Sequence, residues 1–269
     1  MAEKLRPTHI TRQAWDFMTD HLSSLIKIIA IPLIISIALE GFIEIYYAGT
    51  PSPYIKAGVD GFYAVVEALW GVRWLRYLLE PPRQNQYFMA PFRFGKHEVK
   101  YALYGLALIS PVMLDDITVH LPLPGIARSG LLFMIFLSIF IILRFEFIFP
   151  AIAISHNTGF RVSWQKSKAY WGRMIISFLQ SLIIMMPVIA VLSLIGFGLF
   201  VFVWVSGFAD ISNWTVHNGF DTLFLRSPTI LGIYLFIKES AWIIGQALIL
   251  TIVGLYYRDA SVNIVSKKT

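Results

Sequence analysis

The chain contains no cysteine, so disulfide staples, thiolate metal sites and cysteine nucleophiles are all excluded. It is also poor in charge. Only 14% of its 269 residues are Asp, Glu, Lys or Arg, against about 25% in a soluble domain. Histidine is scarce and poorly placed: His9, His21, His97, His120, His156 and His217 fall in termini, loops or the ends of apolar runs. Axial ligation of a haem or chlorophyll inside a helical bundle therefore has no imidazole to use. The sequence has no His-Glu-x-x-His pair, Gly-x-Ser-x-Gly elbow, phosphate-cradling glycine loop or dinucleotide fingerprint. Asp115 and Asp116 beside His120 are the nearest approach to a hydrophilic cluster, expected in a solvated loop and short of the partners a metal site needs. Catalysis, cofactors and metals are left without a residue set, and the expectation is that the protein is not an enzyme.

What is abundant is apolar. Hydrophobic residues make up 57% of the chain, the mean hydropathy is +0.67, and there are 8 Trp, 12 Tyr and 21 Phe. Such a chain cannot clothe its surface for water, so most of that surface is expected to face lipid, with aromatic residues at the interfaces. Six segments approach the length of about 20 apolar residues that a span requires: 22–47, 59–79, 99–114, 129–154, 174–208 and 228–257. The second is the weakest, because it carries Asp60, Glu67, Arg73 and Arg76. The basic residues argue for keeping it. With six spans, all but five of the 22 Lys and Arg collect on one side; Lys56, Arg128 and Arg226 fall on the other, and Arg144 and Lys238 inside spans. Dropping the second span inverts everything after it, so the positive-inside rule favours six.

The expected fold is all-α: one integral membrane domain over 1–269, a polytopic helix bundle of about six transmembrane helices with short interfacial amphipathic helices, and both termini cytoplasmic. Residues 1–21 are polar, with Ile10, Ala14, Trp15, Phe17, Met18 and Leu22 at helical spacing, which suits a helix in the cytoplasmic headgroup layer. The apolar run after it is too long for the core of a signal peptide and reads as a retained anchor. The fifth segment contains Pro187, Gly196 and Gly198 and is expected to kink. Ser177/Ser181 and Ala247/Thr251, each pair four residues apart, suit close helix packing.

The candidate intramembrane charges are Glu67, Arg144, Glu146, Lys238 and Glu239, with Glu40 and Glu44 one turn apart near the outer end of the first span. Each costs on the order of 2.5–3.5 kcal/mol to insert, so each calls for a partner or a purpose. The simpler expectation pairs Glu67 with Lys238 and lets Arg144 and Glu146 snorkel to the inner interface or pair locally. The alternative lines a proton or solute path with them, as in a transporter or channel, although no internal repeat of the usual transporter kind stands out.

The densest pattern runs Leu143-Arg144-Phe145-Glu146-Phe147-Ile148-Phe149-Pro150-Ala151, and resumes at Ser163-Trp164-Gln165-Lys166-Ser167-Lys168-Ala169-Tyr170-Trp171-Gly172-Arg173. A span is expected to end at Pro150. Ser163 is then expected to cap a short helix with Trp164 and Trp171 two turns apart, giving a cytoplasmic amphipathic helix within 155–173. The candidate binding residues for lipid or a partner are Ser163, Trp164, Lys166, Lys168, Trp171 and Arg173, since Trp anchors at headgroups and the cations meet anionic phosphates.

This stretch resembles the YciC-like inner-membrane proteins and the membrane domain that accompanies glycerophosphodiester phosphodiesterases. The matching pattern is Arg-x-x-x-x-x-Pro-Ala, a short loop, Ser-Trp, a basic position and an aromatic before the next span. Arg144, Pro150, Ala151, Ser163, Trp164, Lys168 and Trp171 occupy it, and Tyr256-Tyr257-Arg258-Asp259 resembles the family's ending. The family's glycine between the basic and aromatic positions has no clear counterpart, since Gly172 falls after Trp171. The resemblance implies a bacterial cytoplasmic (inner) membrane protein bearing on envelope integrity or membrane transport. In such relatives catalysis belongs to a separate soluble barrel, for which this chain has no room.

The reading that follows is a non-catalytic membrane protein that organises anionic lipids, or another membrane protein, through a basic cytoplasmic face, with no cofactor and no nucleic acid. Transport is the alternative. A lipid-modifying enzyme gathering Asp115, Asp116, His120, Asp210 and His217 ranks third.

Overall fold

A computed structural model describes residues 6–47, 52–80, 95–118, 144–154, 160–205 and 228–265. Among the described residues the chain is helix and turn, with no strand. Eight helices follow in order: α1 (Pro7–Asp20), α2 (Leu22–Tyr47), α3 (Pro53–Leu79), α4 (Lys96–Thr118), α5 (Ile148–Ala153), α6 (Phe160–Ser167), α7 (Trp171–Val205) and α8 (Pro228–Val265).

Helix α1 is amphipathic as the spacing predicts. It buries Ile10, Thr11, Ala14 and Met18 against α7 and α8. Thr11 donates to Gln180 Oε1 at 3.1 Å, and Ser177 on α7 donates back to the Pro7 carbonyl at 3.3 Å. One residue, His21, separates α1 from α2; its ring stacks on Phe17 at 4.4 Å while Nδ1 meets the Phe17 carbonyl at 2.9 Å.

Three helices are long and apolar enough to cross a membrane, over Leu22–Ile43, Trp171–Leu199 and Thr229–Ser261. They mark a membrane-embedded protein. Helix α7 shows this most plainly, because Leu179, Leu182, Ile183, Met186, Leu194, Phe197 and Phe202 all stand outside the packed bundle. A row of large apolar side chains like this needs lipid or protein over it. At 35 residues α7 is about 50 Å long, well beyond a hydrocarbon core of about 30 Å. It runs helically without interruption through Pro187 and Gly196.

The polar second segment behaves differently. Helix α3 starts at Pro53, earlier than expected, where the Ser52 hydroxyl caps the Ile55 N–H. It packs against α2, α4, α5 and α8 and supplies the centre of the core: Ala68, Trp70, Val72, Trp74 and Leu75 are all essentially inaccessible. Mean hydropathy underrates such a helix, because its polar groups face other helices rather than lipid. Trp74 Nε1 donates to Thr251 Oγ1 at 2.9 Å, and Thr251 returns its own proton to the Ala247 carbonyl.

Glycines permit close approach between the helices, as at Gly71 and Gly254. A Cβ on Gly71 would lie 2.9 Å from the Tyr101 hydroxyl and 3.4 Å from Leu250 Cδ1; one on Gly254 would lie 2.5 Å from Leu78 Cδ2. Small residues at interfaces let helix backbones meet where no hydrophobic force drives them together. Helix α4 also exceeds its expected bounds at both ends. It carries Asp115 and Asp116 in its last turn, so the pair belongs to a helix and not to the loop expected for it. Most of the fourth expected span, 129–143, lies outside the described residues, as do His120, His156, Asp210 and His217.

Gly71→Ala is expected to cost about 1–3 kcal/mol, the usual range for overpacking a filled site, and to lower the thermal midpoint of the purified protein. Gly58→Ala on the same helix, where a Cβ meets nothing within 4 Å, should leave the midpoint unchanged or higher. Equal midpoints for the two variants would show that the α3–α4 contact at Gly71 is loose.

Candidate functional site

The pattern that stood out in the sequence forms one compact clasp. The helical turn containing Arg144 and Phe145 ends in a turn at Glu146 and Phe147, and α5 follows. The break thus falls four residues before Pro150, which was expected to end the span and instead lies inside α5. Pro150 is nevertheless its cause: lacking an N–H, it cannot serve the Glu146 carbonyl in the α-helical manner, which instead accepts from Phe149 N at 3.2 Å.

The carbonyls stranded at this break are satisfied by α6. Ser167 donates to the Arg144 carbonyl at 2.8 Å, and Ser163 lies 3.2 Å from the Phe145 carbonyl and 3.4 Å from that of Arg144. Ser163 is therefore not the N-cap of its own helix, which begins at Phe160; it caps its neighbour. Ser163 and Ser167 are buried on one face of α6, and Tyr170 in the turn after it and Met174 at the start of α7 are buried as well. The stripe was present in the sequence, but two serines do not register as a buried face when only apolar spacing is scored.

Arg144 closes the clasp from the other direction. Its guanidinium lies 4.2 Å over the Trp164 ring and donates through Nη2 to the Trp164 carbonyl at 3.2 Å. A planar cation stacked on indole is a favourable contact, worth up to about 2 kcal/mol when desolvated. Phe145 packs on the same ring at 5.4 Å. Arg144 is 5% exposed, so it is held locally instead of snorkelling. Behind it, Phe147 meets Tyr257 edge-on at 5.8 Å, and the Tyr170 hydroxyl donates to Asp259 Oδ2 at 2.9 Å. The resemblance motif near residue 150 and the ending at Tyr256-Tyr257-Arg258-Asp259 are thus spatial neighbours.

The candidate binding residues divide by exposure. Trp164, Lys168 and Trp171 stand exposed, together with Arg161. Lys166 sits 4.8 Å over the Tyr257 ring, and partial burial pushes its ammonium below the usual lysine range. Arg173 is partly buried, and its Nη1 has no hydrogen-bond partner. The outer surface of this segment is therefore tryptophan and lysine, and its inner surface serine and tyrosine.

The intramembrane charges do not gather in one place. Lys238 pairs with Glu40, Nζ to Oε2 at 3.3 Å, and lies 3.9 Å from Glu239 Oε1. The expected Glu67–Lys238 pair is absent. Glu67 sits one helical turn beyond Tyr63, and it is Tyr63 that reaches the level of Glu40, donating to its Oε1 at 2.9 Å. Glu67 instead accepts from Tyr101 at 3.3 Å and Gln246 at 3.4 Å. Glu146 is half-buried in the turn before α5 and bears electrostatically on Tyr101 and Glu67. A further pair was not anticipated: Arg76 meets Glu98 at 3.4 Å and donates through Nε to the Ala153 carbonyl at the end of α5. Glu98 also accepts from the Gly95 N–H at 3.0 Å, so an acid caps the start of α4 and a base the end of α5, as the helix dipoles favour.

Comparison with family models, curated proteins and solved structures returned no match. The site is therefore read from its own geometry.

Ser167→Ala strands the Arg144 carbonyl with only the longer Ser163 bond and should cost about 1–3 kcal/mol, as for a buried acceptor left without a donor. Arg144→Lys should lose a similar amount through the missing planar stack. In a double-mutant cycle with Trp164→Ala, the Arg144→Lys effect should shrink, read as thermal midpoints of the purified protein. Additive effects would show that ring and guanidinium act separately.

Proposed function

We propose that the protein is a non-catalytic, multi-pass component of a bacterial cytoplasmic membrane, with six spans and both termini inside, that organises anionic lipid through the α6–α7 segment. The observation that carries this reading is the two-sided construction of that segment. Its inner side is locked by Ser163, Ser167 and Tyr170, while Trp164, Lys168 and Trp171 are left outward. Indole rings prefer the headgroup layer. A lysine between them is placed to meet a lipid phosphate, at about 1 kcal/mol per cation near an anionic surface. Rigid backing matters, because a preformed site does not spend binding energy on ordering itself.

Kinship with the YciC-like proteins belongs to the same proposal. It is supported by the physical role of the residues that carry the resemblance: Arg144, Pro150, Ser163 and Trp164 all serve the clasp. The positive-inside pattern supports the assignment of this face to the cytoplasm. Transport gains less support from the geometry, since Glu67 and Lys238 are each engaged by neighbouring side chains.

In nanodiscs of mixed zwitterionic and anionic phospholipid, the wild-type protein should retain anionic lipid above its bulk fraction. Exchanging Lys166, Lys168 and Arg173 for Gln should abolish that enrichment. Lys168→Gln alone, which touches no packing contact described above, should weaken it about fivefold, the equivalent of about 1 kcal/mol. Equal retention by all three proteins would overturn the reading.

A further inference from the structure

The Lys238 cluster contains one group that the packing leaves unexplained. Three helices meet there: α2 brings Glu40, α3 brings Tyr63 with Asp60 a turn away, and α8 brings Lys238 and Glu239. Glu40 is fully served, with Tyr63 on one oxygen at 2.9 Å and Lys238 on the other at 3.3 Å. Glu239 is not. It is 3% exposed, its Oε1 has only the ammonium at 3.9 Å, and its Oε2 is buried with no hydrogen-bond partner. Two carboxyls thus share one ammonium, and the less satisfied of the two is the more deeply buried. A carboxylate in that position carries its full desolvation cost with little return.

The missing charge is one positive unit at Glu239 Oε2. A metal ion is a poor candidate, because hard cations take six or more oxygens and the Lys238 ammonium already stands beside this carboxyl. No group of three or more metal-ligating side chains occurs among the described residues. A proton needs neither space nor further ligands.

We infer that Glu239 is a proton-binding residue, holding its carboxyl neutral while Lys238 is engaged by Glu40 and releasing the proton when Lys238 turns to it. The exchange balances simply: Glu239 passes from carboxylic acid to carboxylate, one proton leaves, and the ammonium that neutralised Glu40 now neutralises Glu239. The Lys238 side chain is 41% exposed, so it lies at the edge of the bundle with room to turn between the two carboxyls. Glu40 is on α2 and Glu239 on α8, and the movement of Lys238 between them therefore alters the contact between those two helices.

Among the described side chains the groups around Glu239 are few. From α2 comes Glu40, from α3 Tyr63 with Asp60 a turn before it, and from α8 itself Lys238. Helix α7, also packed on α8, has no titratable side chain between Met174 and Val205. Helices α1 and α5 meet α8 near Tyr256 and Tyr257, about 25 Å further along at 1.5 Å per residue.

The test is infrared difference spectroscopy of the protein in nanodiscs, titrated from neutral to alkaline pH. The wild type should show a protonated-carboxyl carbonyl band that disappears on titration, and Glu239→Gln should remove that component while Glu67→Gln keeps it. Two further variants give opposite signs. Lys238→Met removes the stabilising cation and should raise the midpoint of the band tenfold or more in proton affinity. Glu40→Gln frees Lys238 for Glu239 and should lower it. Superimposable wild-type and Glu239→Gln spectra would overturn the inference, as would a band removed by sodium at constant pH. If Glu239→Gln does not fold, opposite shifts in the other two variants still establish the site, and unmoved midpoints in both refute it.

Discussion

Everything in this bundle follows from one constraint: a polar helix in a lipid-facing protein has to find its partners inside the protein. Water is not there to complete an unmet hydrogen bond, and each orphan is expensive. Helix α3 carries Asp60, Glu67, Arg73 and Arg76, too many for a helix that touches lipid on most sides. It accordingly takes the centre, with α2, α4, α5 and α8 around it. The most apolar helix, α7, takes the outside, where its leucines and phenylalanines meet lipid at no cost. The order of burial is thus the reverse of that in a soluble protein, and the helix least able to insert alone is the one around which the others assemble.

The same constraint explains the clasp. A helix broken by proline releases carbonyls, and here Ser163 and Ser167 arrive from a different segment to receive them. Arg144 and Trp164 then join the two segments through a stacked ring and a hydrogen bond to the backbone. Each residue of the motif answers a need created by another. The proline requires hydroxyls, the hydroxyls fix α6, and α6 delivers the indole on which the arginine lies. A motif built in this way is a statement about local folding first. Its outward face, Trp164 with Lys168 and Trp171, is available for another purpose because the inward face already holds the segment in place.

Much of this was legible in the sequence, and the exceptions have physical causes. Helix α2 falls where apolar length places it, and α1 buries the face that its 3.6-residue spacing marks. The polar contacts were harder to read. Glu67 was expected to seek the opposite charge of Lys238, yet a tyrosine and an amide on α4 and α8 serve it instead. Depth decided the matter, since pairing in a bundle requires two residues at one level and a sequence gives levels only after helix ends are known. Helix α3 begins at Pro53 rather than near 59, enough to move every level by almost two turns. Ser163 differs from expectation for a related reason: a serine near a helix start reads as its cap, and only the fold shows that it serves Arg144 and Phe145, 19 and 18 residues earlier.

Helix α8 joins the two regions of interest. Near its start it holds Lys238 and Glu239; near its end Tyr256 bonds to Ser177, Tyr257 lies under Lys166, and Asp259 accepts from Tyr170. Between them it is gripped without slack, by Trp74 at Thr251 and by Leu75 and Leu78 at Gly254. Close-packed interfaces transmit displacement because they have no voids to absorb it. A change in the charge of Glu239 that loosens or tightens the contact with Glu40 therefore acts on a helix whose far end supports the segment carrying Trp164 and Trp171. The packing of this single helix supplies a physical route between Glu239 near its start and the exposed indoles supported by its far end.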